Sequence, residues 1–208
     1  MEDFLYNELN KAWKTTCKVL FKEEIGELKE YEEWLSEHRK PDGKRKDKEG
    51  KDVYVFPNYY EGSNFIDFKD IDWNKKFEPL GINEIKDIDS IVEALKERFV
   101  YAGNIVLGKS QFVEKSTNVF DSFYVYGSYT VEESKYIYKS TLVKDASYIF
   151  SCTAAPKSDF CLTSHVSTSK RIFHSLYIFG SSDLYYCAKV DETVEGMFSF
   201  GTKGKNYI

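Results

Sequence analysis

The chain is poor in proline, methionine and histidine, with 4 Pro, 2 Met and 3 His in 208 residues. Three histidines leave little material for a nucleophile, a base and an acid arranged together. The phosphate-cradling patterns G-x-x-x-x-G-K-[ST] and G-x-G-x-x-G are absent, as is the G-x-S-x-G of a nucleophile elbow. Common nucleotide enzymes and hydrolases therefore lose weight, and no cofactor is expected. No apolar run approaches the ~18 residues of a membrane helix, so no membrane span is expected. Cys17, Cys152, Cys161 and Cys187 are too few and too scattered for a disulfide framework, which predicts free, buried thiols. The start, Met1-Glu2-Asp3-Phe4-Leu5, places two acids and no basic region ahead of an apolar core. It does not read as a secretory signal, and a cytoplasmic protein is the expectation.

What the chain has in quantity is aromatic residues, 16 Tyr and 16 Phe, a bias toward strands. Helical spacing is confined to the N-terminal half. Leu5, Leu9, Ala12, Trp13, Thr16 and Leu20 line one face over residues 4–22, and Ile25, Leu28, Tyr31 and Leu35 do so over 24–38. Together they predict a helical hairpin with a break near Gly26. A further stripe, Ile85 to Phe99, predicts a helix over 84–98 with Asn83 or Asp87 as N-cap.

Residues 39–51, RKPDGKRKDKEGK, carry a local charge of +4 against -9 for the rest of the chain. Glycine, proline and the absence of apolar residues predict a solvated loop or hairpin tip. Its Lys44, Arg45 and Lys46 are the one candidate for phosphate or acidic-partner docking. With net charge -5 and no recognition motif, nucleic acid is disfavoured.

Steps of twelve from Phe112 give Phe112, Tyr124, Tyr136, Tyr148, Phe160, Ile172, Leu184, Gly196 and Ile208, eight large apolar residues in nine positions. Four positions further on runs a small-residue column, Ser116, Ser128, Ser140, Cys152 and Ser164, followed by Leu176, Ala188 and Phe200. A fixed period with position-specific character indicates a repeat array. A twelve-residue coil leaves no interior room for stacked Tyr and Phe, so a parallel β-solenoid with coils of about 24 residues is expected. An antiparallel meander or sandwich is the alternative. The fold class is thus α+β, with an N-terminal helical and mixed module over 1–100 and a β-repeat module over 101–208. Units such as Ser134-Lys135-Tyr136-Ile137-Tyr138 and Ser158-Asp159-Phe160-Cys161-Leu162 resemble prokaryotic β-solenoid repeat proteins of uncharacterised function. That resemblance implies a shape and no activity.

The β-repeat carries the remaining candidates. Asp159 and Asp183, 24 residues apart, would be neighbours on adjacent coils, with Lys135 next in the ladder. Paired carboxylates can support acid-base chemistry on a saccharide. The set Cys152, Cys161, His165, His174 and Cys187 lacks the close paired ligands of small zinc sites, so no metal is expected. Tyr186 stands for the aromatic surface. Ile208 falls in phase with the apolar column with no polar capping segment, so the expectation is either a fragment of a longer protein or an edge that pairs with a protein partner or a second copy. The leading expectation is a non-enzymatic interaction or assembly scaffold using an edge or face of the solenoid. A carbohydrate-binding or carbohydrate-acting solenoid is the alternative.

Overall fold

The computed structural model describes residues 1–37, 43–56, 59, 62–81, 85–96 and 98–208. His38, Asn83 and residues 39–42 of the basic segment lie outside them. The chain divides into two units, one of Met1–Pro41 with Val106–Ile208 and one of Asp42–Ile105.

In the first unit, residues 106–208 form a parallel β-solenoid of about eight coils, one side of which is an eight-stranded sheet. The coil is twelve residues, half the expected length: Lys135 pairs with Phe123 on one neighbour and with Ser147 on the other. From Phe112 to Ser151 every third residue is left-handed, with φ between 45° and 59°. Each coil therefore turns four times and points one side chain inward per side.

Twelve residues suffice because the aromatics are outside. Two inward rows are aliphatic or thiol, one running Val125, Ile137, Ile149, Cys161, Ile172 and Leu184, the other Val119, Val131, Val143, Ala155, Val166, Ile178 and Val190. The other two rows are small and polar, typified by Ser116, Ser128, Ser140 and by Ser122, Ser134, Ser158, all buried. Each serine links two coils. Ser128 Oγ donates to Tyr126 O at 2.9 Å and accepts the Ser140 N–H at 3.0 Å, and Ser122 Oγ accepts the Ser134 N–H at 3.1 Å. The repeat thereby gives an acceptor to backbone N–H groups that would otherwise be buried without one. Left-handed residues other than glycine cost about 1–2 kcal/mol each, a cost met by ladder bonds and the inward rows.

The period breaks twice, first at the start, where Val106 pairs with Val119 at a step of 13, and again midway along the solenoid. Asp159 pairs with Lys170 and Cys161 with Ile172, a step of 11 where the other strands of this sheet step by 12. The lost residue lies between inward Ser164 and inward Val166, where the pairing register shifts. Beyond Phe160 the expected column is therefore off by one. Ile172, Leu184 and Ile208 continue the row of Val113, and the small column continues through Ser175 and Cys187 rather than Leu176 and Ala188. In the coil before it, residues 153–157 form no strand, and Pro156 marks the gap between a four-stranded and a three-stranded sheet on that side.

Helix α1 (Asp3–Phe21) covers the eight-stranded sheet. Its buried Leu5, Leu9, Ala12, Trp13, Cys17 and Leu20 pack on the outward row Tyr126, Tyr138, Phe150 and Leu162. At 1.5 Å per residue nineteen residues reach about 28 Å, close to six coil spacings of about 4.8 Å. The second expected helix is broken. Gly26 takes φ +109°, Asn10 Oδ1 accepts the Leu28 N–H at 2.8 Å, and the chain enters a 3-10 turn, Leu28–Tyr31, before α2 (Glu32–Glu37). Lys139 Nζ holds α2 to the solenoid, donating to Glu32 Oε1 at 2.8 Å and Ser36 Oγ at 2.7 Å.

In the second unit, Lys44–Lys46 and Asp52–Tyr54 form an antiparallel hairpin, and Asn64–Asp67 runs parallel to Val100–Gly103. Asp47 Oδ1 closes the hairpin turn by accepting the N–H groups of Glu49 and Lys51 at 2.9 and 2.8 Å. A small core of Val53, Val55 and Phe65 holds it, and Gly103 backs directly onto Val53 and the Tyr54 carbonyl. Helix α3 (Ile88–Leu95) is shorter than expected. A capping box between Asp87 and Ser90 starts it, and Ile88 and Val92 are exposed.

Candidate interaction surface

The paired carboxylates are not brought together. Asp159 pairs in register with Lys170 and Lys170 with Ser182, so Asp159 and Asp183 stand two coils apart in different columns. Each has its own partner. Ser147 Oγ donates to Asp159 Oδ1 at 2.5 Å with Lys170 Nζ 3.6 Å away, and Arg171 grips Asp183 with two bonds of 2.5 and 2.6 Å. The Arg171 guanidinium holds the Asp183 carboxyl below the usual carboxylate range. Lys135 is two coils from Asp159 and lies 4.7 Å from the Tyr136 ring centroid. These charges pair across one coil, as cross-strand neighbours do, and likewise Lys144 meets Glu132 at 2.6 Å.

Lys44, Arg45 and Lys46 sit on a strand in the second unit. Lys44 Nζ lies 2.7 Å from Asp52, Lys46 pairs with the same carboxylate, and Arg45 lies 6.0 Å from the Phe65 ring centroid. The two lysines hold the Asp52 carboxyl below its usual range. Lys44 and Lys46 are thus answered by the facing strand.

The cysteines are free and buried, as expected. Burial pushes the Cys152 thiol up to about 12 and the Cys161 thiol well above its ordinary value. Among the described residues no group of three or more His, Cys, Asp and Glu side chains could hold a metal ion. His165 Nδ1 lies 3.3 Å from Thr153 Oγ1 and His174 Nδ1 lies 3.2 Å from Thr163 Oγ1. Among the described residues no helix is long and apolar enough to cross a membrane.

The aromatic columns divide into two kinds. Phe112, Tyr124, Tyr136, Tyr148 and Phe160 stack at 4.7–5.1 Å beside α1, with Phe4 of the helix 4.9 Å from Phe112. After the short side the exterior changes. Before residue 176 the solenoid exposes Val106, Leu107, Phe112, Phe120 and Leu142. Then come Leu176, Tyr177, Phe179, Tyr186, Val194, Met197, Phe198, Phe200, Tyr207 and Ile208. On the side opposite α1, the strand Leu176–Phe179 buries Ile178 and exposes its other three residues by 47–52%.

Beside this strand runs a groove of about 450 Å³. Ser151, Thr163, His174 and Tyr186 line one wall, Thr153, Leu176 and Ala188 the other, and no carboxylate, lysine or arginine lines it. It straddles the coil that is one residue short, with Thr163 and Ser164 of that coil in its lining. Bulges and register breaks are enriched where sheets carry functional surfaces. The signal for this break lies in the sequence: Ser158 to Ser169 and Ser164 to Ser175 each step by 11. Tyr186 stacks on Phe198 at 5.4 Å, and Ile208 closes the last coil by donating its N–H to Glu195 O at 3.0 Å. Comparison with protein-family models, curated proteins and solved structures finds no match to this chain.

Proposed function

We propose that this chain is a non-enzymatic interaction scaffold that engages protein through the outer side of the solenoid beyond the short coil. One observation carries the reading: of the fifteen large apolar side chains exposed on the solenoid ten lie after residue 175, and three of these sit together on the strand Leu176–Phe179. Contiguous exposed apolar surface on a soluble fold marks interaction sites, and aromatic residues are enriched in them. The four free buried thiols fit a reducing, cytoplasmic setting. The resemblance of the Ser-x-aromatic units to prokaryotic β-solenoid repeat proteins agrees with a scaffold. Tyr186 and the Ile208 edge belong to the same half of the solenoid. The groove has no charged lining, and Asp159 and Asp183 are each neutralised by a neighbour, so a carbohydrate-acting site gains no support.

The test compares wild type with a Tyr177→Glu, Phe179→Glu variant in affinity isolation from native extract and in analytical ultracentrifugation. Both substitutions are at outward positions, so circular dichroism should be unchanged. Protein association, with itself or another chain, should be present in wild type and lost in the variant. Association that survives both charges, or none at any concentration, overturns the reading.

A further inference from the structure

The apolar side opposite α1 is matched in pattern to a copy of itself, and we infer that the chain forms a two-fold dimer by packing this side face to face. The inference rests on the scaffold reading and names its partner. Closed two-fold contacts are the commonest form of self-association, and in them one patch meets its own image. Stacked sheets pack about 10 Å apart with interdigitating side chains. A second copy brings the same rung spacing by construction, which an arbitrary partner does not.

The fit can be read rung by rung with the axis lying along Leu176–Phe179. This strand, half-exposed at Leu176, Tyr177 and Phe179, then meets its own counterpart. Its neighbours in register are His165 and Ser167 on one side and Ala188 and Asp191 on the other. The axis reverses the rung order, so Ala188 of one copy faces the bulkier His165 of the other, and Asp191 faces the Ser167 hydroxyl. Between Ser164 and Val166 the short coil has a single residue, so Lys189 faces the position of the lost one. One rung further out, Phe200, which bridges to Ala188, meets the small residues Thr153 and Ala154, the latter bridging to His165. In the flanking rungs large thus faces small, while Leu176, Tyr177 and Phe179 meet their own images, and the charges at Lys189 and Asp191 meet no like charge. Asp191 is also 3.1 Å from its own Lys203.

Because residue 177 sits on the axis, a thiol placed there meets its own image. All four native thiols are buried and free, so Tyr177→Cys adds the one accessible thiol. A bis-maleimide linker of about 10 Å, matched to the spacing of stacked sheets, should convert Tyr177→Cys to a covalent dimer, whereas Met197→Cys, exposed on the α1 side, should stay monomeric on denaturing electrophoresis. In ultracentrifugation, wild type should dimerise with concentration and Tyr177→Glu, Phe179→Glu should weaken association at least about tenfold, a difference of about 1.4 kcal/mol. A monomeric wild type, or equal crosslinking through Met197→Cys, overturns the dimer. If wild type is monomeric yet a different protein binds and is lost in the double variant, the dimer fails while the scaffold reading stands. If neither occurs, both fail.

Discussion

The coils before and after the short side share one interior and differ in their exteriors. Before it, the inward rows read Val, Ser, Val, Ser, and the outward aromatics of the eight-stranded sheet are stacked beside α1 or packed beneath it, while Phe120 on the other side is exposed. After it, the interior still alternates Ile172, Ser175, Ile178, Ser181, but the outward positions bear exposed Leu, Tyr and Phe. Interior identity is what lets every coil hydrogen-bond to the next, so it cannot vary without breaking the stack. The exterior is free of that constraint, and there the two halves have parted.

The cover over the first half gives the largest expected effect. Trp13 is fully buried, donates Nε1–H to Gly26 O at 3.2 Å and packs edge-on against Phe150 at 5.5 Å. Trp13→Ala should cost about 3–5 kcal/mol in urea unfolding. A loss under about 1 kcal/mol would mean that α1 adds little to the solenoid.

If the interior is equivalent on both sides of the break, Ile137→Ala and Ile178→Ala should each cost about 2–5 kcal/mol and agree within about 1. Both side chains are fully buried. A much smaller cost at Ile178 would show a looser core after the short side. The serine relay extends the comparison. Ser140 Oγ accepts the Cys152 N–H and Ser175 Oγ the Cys187 N–H, both at 3.0 Å. Removing either hydroxyl should cost about 1–3 kcal/mol, since a buried N–H loses its acceptor. A neutral result would imply that water replaces the hydroxyl.

The Glu32 and Lys139 pair provides a pH-dependent contribution on the first half alone. The bond from Lys139 holds the Glu32 carboxyl below its usual range. Its stabilisation is therefore complete above the unfolded glutamate value of about 4.3 and is lost as pH falls through the lower folded value. Thermal melts taken between neutral pH and about pH 3 should decline less steeply in Glu32→Gln than in wild type. Identical profiles would remove the pair from the acid response. The smallest effect is expected on the outer surface of the second half: Leu176→Ser, at an exposed position, should leave unfolding within about 0.5 kcal/mol. A larger loss measured below the concentration of self-association would make that side chain part of the fold.

Much of this architecture was legible in the chain itself. The period of twelve, the first apolar stripe that became α1 and the absence of nucleotide and hydrolase motifs are all properties of residue order. Coil length was misread because Tyr and Phe were assigned to the interior. An apolar residue in a repeat must be covered, but its spacing does not say whether the cover is the coil or a helix from elsewhere in the chain. The adjacency expected for Asp159 and Asp183 failed for the same reason, since half the coil length and a step of 11 put them two coils apart and one column out of phase.

By itself, then, the sequence determined that a strand-rich repeat would stack, because recurring Val, Ile and Ser at fixed spacing satisfy one another wherever they recur. Which aromatic columns are covered was decided only by the tertiary structure. α1 returns to the eight-stranded sheet and buries one outward row, leaving Leu176, Tyr177 and Phe179 on the opposite side in solvent. That choice depends on contacts more than a hundred residues apart, such as Lys139 with Glu32 and Tyr185 Oη with Leu20 O at 2.6 Å. Local spacing has no access to them.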